Sequence, residues 1–88
     1  MSDLGGPDGR DEIEREFLRR LYDRTGGDTW MAIAGGEIGE AMGLRGLKTS
    51  ALIREMAAQG WLRPATRPYA WPLWVRITPL GIHAVTPS

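Results

Sequence analysis

The stretch that decides the fold is EIGEAMGLRGLKTSALIREMAAQGWL, residues 37–62. It holds two short runs of helical character that meet at a Gly-Leu pair, and the second run leads into Gly-Trp-Leu. In a helix-turn-helix unit the first helix needs a small residue where the second crosses it, and the turn needs a residue that tolerates a positive φ angle. Gly39 and Gly43 meet these two needs. The stretch therefore predicts two closely crossing helices, at residues 37–42 and 48–59.

The segment upstream of this pair predicts one longer helix. From Asp11 to Arg24, large apolar side chains recur every three or four residues, and acidic residues crowd the first turn, where the helix dipole favours negative charge. Gly26-Gly27 is expected to end this helix. A short extended segment is predicted at residues 29–33, and it includes Trp30.

The segment downstream of the pair has the residue types of a two-stranded ribbon. We expect residues 61–63 to pair with residues 73–78 around a loop whose prolines are confined to its ends and tip. Thr78-Pro79 is a favourable helix start, with threonine as N-cap and proline in the first helical position. A short helix is therefore predicted at residues 80–85.

The predicted core draws on the apolar side of each of these elements. In the second helix of the pair, Leu52, Ile53 and Met56 form the inward stripe. Leu44 and Leu47 flank the turn of the pair, and we interpret them as core residues rather than contact residues.

Composition limits the classes of protein that the chain can form. It has 88 residues, no cysteine and one histidine, so a disulfide framework and a Cys/His zinc site are not expected. We expect one domain at residues 11–85 between short tails at 1–10 and 86–88. No apolar run approaches the roughly 20 residues that span a bilayer, and no signal peptide is apparent, so the cytoplasm is the expected compartment. The preference for arginine over lysine points to a bacterial or archaeal source.

The charge is unevenly distributed although the net charge is zero. Residues 1–44 carry ten acidic residues and five arginines, a net charge of −5. Residues 45–88 carry five arginines and one lysine against a single acid, Glu55, a net charge of +5. The second helix of the pair and the ribbon therefore lie in the positive part, which favours an anionic partner there.

These motifs together resemble the winged-helix family of DNA-binding proteins, and MarR-like bacterial regulators among them. The family's helix pair commonly reads like E-L-A-E-x-L-G-L, and its counterpart is EIGEAMGL at residues 37–44. GWL at residues 60–62 closes the second helix at the expected distance, and ITPLGIHAV at residues 77–85 is similar to the L-T-P-x-G segment after the wing. The resemblance implies an α+β, winged helix-turn-helix fold: a three-helix core, a two- or three-stranded β-wing and a short C-terminal helix.

The resemblance also implies a partner, double-stranded DNA, and a role as a small transcriptional regulator. The second helix of the pair would lie in the major groove, with its early outward-facing side chains on bases and phosphates. Carried over by position, the groove-facing candidates are Lys48, Ser50, Ala51 and Arg54, with Thr49 at the rim. The expected phosphate ligands in the turn and ribbon are Arg45, Arg63, Arg67 and Arg76. One such module reads a half-site, so a homodimer or a larger complex is expected.

The aromatic residues of the ribbon leave alternatives open. Trp61 and Trp74 are expected to pack inward over the second helix of the pair. Tyr69 and Trp71 lie near the loop tip, where a DNA-binding wing is usually short and basic. They would serve as a cover folded back on the domain, as a surface for a second protein or subunit, or as a nucleic-acid contact. The second of these supports a rival function, a winged-helix protein-protein interaction module without DNA binding.

No residue pattern predicts an enzyme, a metal site or a cofactor. The three serines do not lie near a candidate base in the sequence, and His83 falls on the short terminal helix. The glycine pairs do not follow a phosphate-binding motif. The acidic residues of the first helix are explained as a solvated face paired with nearby arginines, such as Glu16 with Arg19 or Arg20.

Overall fold

A computed structural model describes residues 10–65 and 71–86. Within them the chain has an α+β fold, so the predicted fold class is confirmed at that level. Four helices and three strands follow one another in the order α1 (Arg10–Thr25), β1 (Ile33–Ala34), α2 (Gly35–Ala41), α3 (Gly46–Ala58), β2 (Leu62–Pro64), β3 (Trp74–Ile77) and α4 (Pro79–Val85). Most of both predicted tails, at residues 1–9 and 87–88, lies outside the described residues.

The three strands form one small antiparallel sheet, in the order β1-β3-β2. In the central strand, Val75 and Ile77 are buried, whereas Trp74 is exposed and Arg76 is half-buried. Successive side chains of a strand point to opposite faces of the sheet. One face therefore packs on the core, and the other carries Trp74 and Arg76 towards solvent. The pairing of β2 with β3 confirms the predicted ribbon.

The core lies between the helices and the inner face of the sheet. The predicted inward stripe of α3 is confirmed, and Trp61 packs against the same cluster as predicted. The buried residues of the cluster are Phe17, Leu18, Leu21, Ile38, Leu52, Ile53, Met56, Leu62, Leu73, Val75 and Ile77. This cluster fixes the side of α3 that faces inward, and with it the side that remains exposed.

The crossing of α2 and α3 depends on Gly39, as the sequence predicts. A Cβ atom built on Gly39 would overlap Thr49 Oγ1 and lie 2.7 Å from Thr49 Cγ2. The turn between the helices contains Gly43 with a φ of 79°, and the N–H of Leu44 donates to the Gly39 carbonyl at 2.8 Å. This pattern is a Schellman-type helix end, which needs a residue in the left-handed region at Gly43.

The end of α3 has the same type of helix cap. Gly60 has a φ of 81°, its N–H donates to the Ala57 carbonyl, and the N–H of Trp61 donates to the Met56 carbonyl, both at 3.0 Å. The prediction that Gly60 caps the helix is confirmed. Because the cap redirects the chain, β2 starts immediately beside the helix that it follows.

The first strand lies later in the chain than the predicted segment at residues 29–33. Asp28 Oδ1 accepts a hydrogen bond from the Trp30 N–H at 2.9 Å, and the Asp28 carbonyl accepts one from the Met31 N–H at 3.3 Å. An aspartate that bonds to its own local backbone favours a turn over an extended chain. Trp30 therefore lies in a turn with 79% of its surface exposed, and its predicted place in the strand is wrong.

Both helices of the pair begin two residues earlier than predicted. At the start of α2, the N–H of Gly35 donates to the Leu73 carbonyl at 2.8 Å, and the N–H of Gly36 donates to the Pro72 carbonyl at 2.7 Å. Free N–H groups at a helix start need acceptors, and these carbonyls supply them in place of a capping side chain. The acceptors are distant in sequence, which explains why local pattern did not reveal the start.

Three side chains lie on other faces than predicted. Leu44 packs against the core as predicted, but Leu47 is 89% exposed, because the earlier start of α3 places it opposite the buried stripe. Thr49 is not at the rim of the exposed side, since it is 1% exposed and packs against Gly39. Trp74 points to solvent, because strand alternation gives the inward positions to its neighbours Val75 and Ile77.

Helix α4 begins as the Thr78-Pro79 pair predicts. Thr78 Oγ1 accepts a hydrogen bond from the Gly81 N–H at 3.0 Å and donates one to the Gly60 carbonyl. The side chain therefore joins the start of α4 to the end of α3.

Removal of the Thr78 hydroxyl is expected to destabilise the protein. Thr78→Ala is expected to lower the free energy of unfolding by about 1 kcal/mol, the typical effect of removing an N-cap hydroxyl. Urea denaturation followed by circular dichroism measures the change. Thr78→Ser retains the hydroxyl and is the control, and equal losses in both variants would contradict the capping role.

Candidate nucleic-acid interface

The exposed side of α3 is a row of four residues at helical spacing. They are Leu47, Ala51, Arg54 and Ala58, and all four are exposed. Residues spaced by three or four positions share one side of a helix, so this row lies opposite the buried stripe. Of the other predicted contact residues on α3, Lys48 is exposed and flanks the row, and Ser50 is half-buried on its other side.

This side of α3 carries positive charge that has no ionic partner among the described residues. The turn before the helix adds Arg45, which is exposed, and the first turn of the helix contains no acidic residue. Within residues 10–65 and 71–86, no ion pair engages Arg45, Lys48 or Arg54. Unpaired cations on an exposed helix side are available to an external anion.

The ion pairs found among the described residues involve α1 instead. Arg20 Nε lies 2.9 Å from Glu16 Oε2, and Arg24 Nη1 lies 3.3 Å from Glu37 Oε1. The first of these confirms one predicted pairing of the acidic helix. Two arginines of α1, Arg20 and Arg24, are thus balanced by carboxylates, unlike the cations of α3.

The predicted phosphate ligands of the ribbon do not share the exposed side of α3. Arg63 on β2 stands directly opposite Arg76 on β3 in the strand register. Both belong to the solvent face of the sheet, whereas α3 packs on the inner face. Arg67 lies outside the described residues. The structure therefore divides the predicted basic residues into an α3 group and a sheet group.

Trp71 folds back on the helix pair. A Cβ atom on Gly36 would lie 2.7 Å from Trp71 Cζ2, and one on Gly46 would lie 3.5 Å from Trp71 Cη2. The indole thus covers the point where α2 and α3 begin, although 56% of the residue remains exposed. This packing favours the interpretation of Trp71 as a cover on its own domain. Tyr69 lies outside the part of the chain that the structure describes.

The solvent face of the sheet contains an aromatic contact that was not predicted from the sequence. The guanidinium carbon of Arg76 lies 5.8 Å from the centre of the Trp30 ring, within the range of a cation–π interaction. Trp30 and Arg76 line an open recess of about 200 Å³ together with Arg63 and the start of α4. The sequence signal for this face was the alternation of Trp74 and Arg76 with Val75 and Ile77 along β3, which indicates that the first two side chains point away from the core.

Other kinds of site receive no support from the residues that can be placed. In residues 10–65 and 71–86 no three histidine, cysteine, aspartate or glutamate side chains come together as metal ligands would. His83 is exposed on α4. None of the helices described has both the length and the apolar surface needed to cross a bilayer.

Comparison with known proteins gives no match to a protein family, to a curated protein or to a solved structure.

Proposed function

We propose that this chain is a small winged-helix protein that binds double-stranded DNA through α3 and regulates transcription. The observation that carries the proposal is the exposed side of α3, where cations with no ionic partner in the described part of the chain flank small side chains. The opposite side of the helix is anchored in the core. The order of helices and strands and the β1-β3-β2 sheet are compatible with a winged-helix layout. The close crossing at Gly39 is the feature that a helix-turn-helix pair needs.

The composition of the exposed row suits a major groove. The groove of B-DNA is wide enough to admit an α-helix, and the small side chains of Ala51 and Ala58 let the helix approach closely. Arg54 supplies donors for guanine N7 and O6, and Lys48 supplies donors for guanine or for a phosphate beside the groove. Leu47, which is exposed on the same side of α3, offers an apolar contact for a thymine methyl group.

The small number of cations on and beside α3 limits how tightly one copy can bind DNA. In this proposal Arg45, Lys48 and Arg54 serve one copy, and Arg63 and Arg76 are left out because they lie on the far face of the sheet. So few contacts support weak binding by a monomer, and a second copy on the adjacent half-site would supply the specificity. A homodimer on a palindromic site is therefore the proposed functional unit.

Substitution of the α3 cations tests the proposal. Arg54→Ala is expected to weaken binding to a duplex about tenfold, within the usual value of an arginine-base contact. Lys48→Ala is expected to weaken it less and to reduce the slope of log K against log salt by roughly 0.9, the release expected for one phosphate contact. Fluorescence anisotropy of a labelled random duplex at two salt concentrations measures both quantities.

A matched control lies on α1. Arg19 is exposed like Arg54 but lies on α1, outside the exposed row of α3, so Arg19→Ala should leave duplex affinity unchanged. Equal losses for Arg19→Ala and Arg54→Ala would point to non-specific attraction and contradict the role of α3. Absence of duplex binding at low salt would reject duplex DNA as the partner of α3 and favour the protein-binding alternative, through the exposed part of Trp71 and through Tyr69.

A further inference from the structure

The solvent face of the sheet gathers two tryptophans and two arginines. Trp74 and Arg76 follow each other on the outer side of β3, and Arg63 stands opposite Arg76 on β2. Trp30 reaches the same face from the turn before β1, since its ring lies over the Arg76 guanidinium. We call these four residues, Trp30, Arg63, Trp74 and Arg76, the sheet platform.

Among the described residues, the two arginines of the sheet platform have no counterion. Like charges directly opposite each other across two strands repel, and an anion between them removes that repulsion. In the part of the chain that the structure describes, no carboxylate pairs with Arg63 or Arg76. The Nε atom of Arg76 is buried and has no hydrogen-bond acceptor there. An anion beside the two guanidinium groups would offset their repulsion.

The two tryptophans of the sheet platform are not needed by the core. The core packs on the inner face of the sheet, whereas Trp30 is 79% exposed and Trp74 is 41% exposed on the outer side. Arg76 lies over one face of the Trp30 ring, and most of the remaining indole surface is open to solvent. The exposed parts of these indole rings are surfaces on which another flat ring can stack.

We infer that the sheet platform binds unpaired nucleotides of a single-stranded nucleic acid. Proteins that hold single strands combine aromatic side chains, on which bases stack, with cations that follow the phosphates. Here Trp30 and Trp74 are the stacking surfaces, and the Arg63–Arg76 pair holds a phosphate. A duplex keeps its bases stacked inside, so it would engage only the arginines. An acidic protein segment would likewise satisfy the two charges and leave the indole rings uncovered.

This site is separate from the proposed duplex interface. The sheet platform lies on the outer face of the sheet, and α3 packs on the inner face. Its four residues and the exposed row of α3 have no member in common. The two activities therefore respond to different substitutions, and failure of one leaves the other intact.

Binding of a labelled 15-nucleotide oligo(dT) tests the inference. Trp30→Ala and Trp74→Ala are each expected to weaken binding roughly ten- to a hundredfold, the range for loss of one base-stacking contact. Trp30→Phe retains an aromatic face and should recover most of the affinity. Quenching of tryptophan fluorescence in the unsubstituted protein provides a second readout, because only stacked bases come close to the indole rings.

Controls separate stacking from charge and one site from the other. Lys48→Ala with Arg54→Ala should leave oligo(dT) affinity unchanged while duplex affinity falls, and circular dichroism checks that every variant is folded. Oligo(U) in place of oligo(dT) shows whether RNA or DNA is preferred. The inference is overturned if the tryptophan variants bind oligo(dT) as the unsubstituted protein does, or if an oligo-glutamate peptide quenches the tryptophans equally well.

Discussion

Gly81→Ala is expected to lower the free energy of unfolding by about 3 kcal/mol or more, at the upper end of the usual cost of overpacking. A Cβ atom at Gly81 would overlap the carbonyl oxygen of Trp61 and lie 3.0 Å from its carbonyl carbon. Both atoms belong to the backbone, so no side-chain rotation relieves the overlap. Helix α4 would have to move away from the end of α3, and Ile82 and Val85, which pack against the core, would move with it.

A second glycine provides the control for this result. At Gly46, in the first turn of α3, an added Cβ would meet Trp71 at an ordinary distance of 3.5 Å. Alanine is the better helix former, so Gly46→Ala should be neutral or stabilise the protein by up to roughly 1 kcal/mol. Urea denaturation measures both variants. If Gly81→Ala stayed within about 0.5 kcal/mol of the unsubstituted protein, the close contact between α4 and Trp61 would be refuted.

The helices of this fold are largely readable from local sequence, because their ends depend on residues within one turn. Gly43 and Gly60 adopt a positive φ, which glycine favours, and Thr78 caps α4, a position that threonine favours. The start of α2 was not readable in this way, since its N–H groups donate to carbonyls at residues 72 and 73. A contact between positions far apart in the chain leaves no local periodicity.

The candidate sites were less predictable, since they depend on which side of an element faces out. A shift of two residues in the start of α3 is enough to move Leu47 from the expected core to the exposed row. Trp74 was expected inside because tryptophan is large and apolar, but the alternation of β3 places Val75 and Ile77 inward instead. The alternation along β3 indicates that Trp74 and Arg76 face outward, but the position of Trp30 beside them could not be anticipated, because it depends on a turn formed by Asp28.

Gly39→Ala is expected to lower the free energy of unfolding by about 2 kcal/mol, because the added methyl group would overlap the Thr49 side chain at the crossing of α2 and α3. The obstacle here is a side chain, so a second substitution can relieve it. Thr49 Oγ1 is buried and forms no hydrogen bond within the described residues, so Thr49→Ala loses no such bond. The double variant should therefore be more stable than the sum of the two single changes predicts.

A double-mutant cycle measures this coupling. With Gly39→Ala, Thr49→Ala and the combination, the coupling energy should be about 1–2 kcal/mol in favour of the double variant, within the range for residues in direct contact. Relief is incomplete, because the Cβ atom of residue 49 would still lie 3.0 Å from the new methyl group. Strictly additive losses would mean that the two helices do not cross at this pair. The duplex affinity of the same variants, measured at a temperature where all are folded, tests whether the helix crossing positions α3 on DNA. The affinity should fall with Gly39→Ala and recover in part when Thr49→Ala is added.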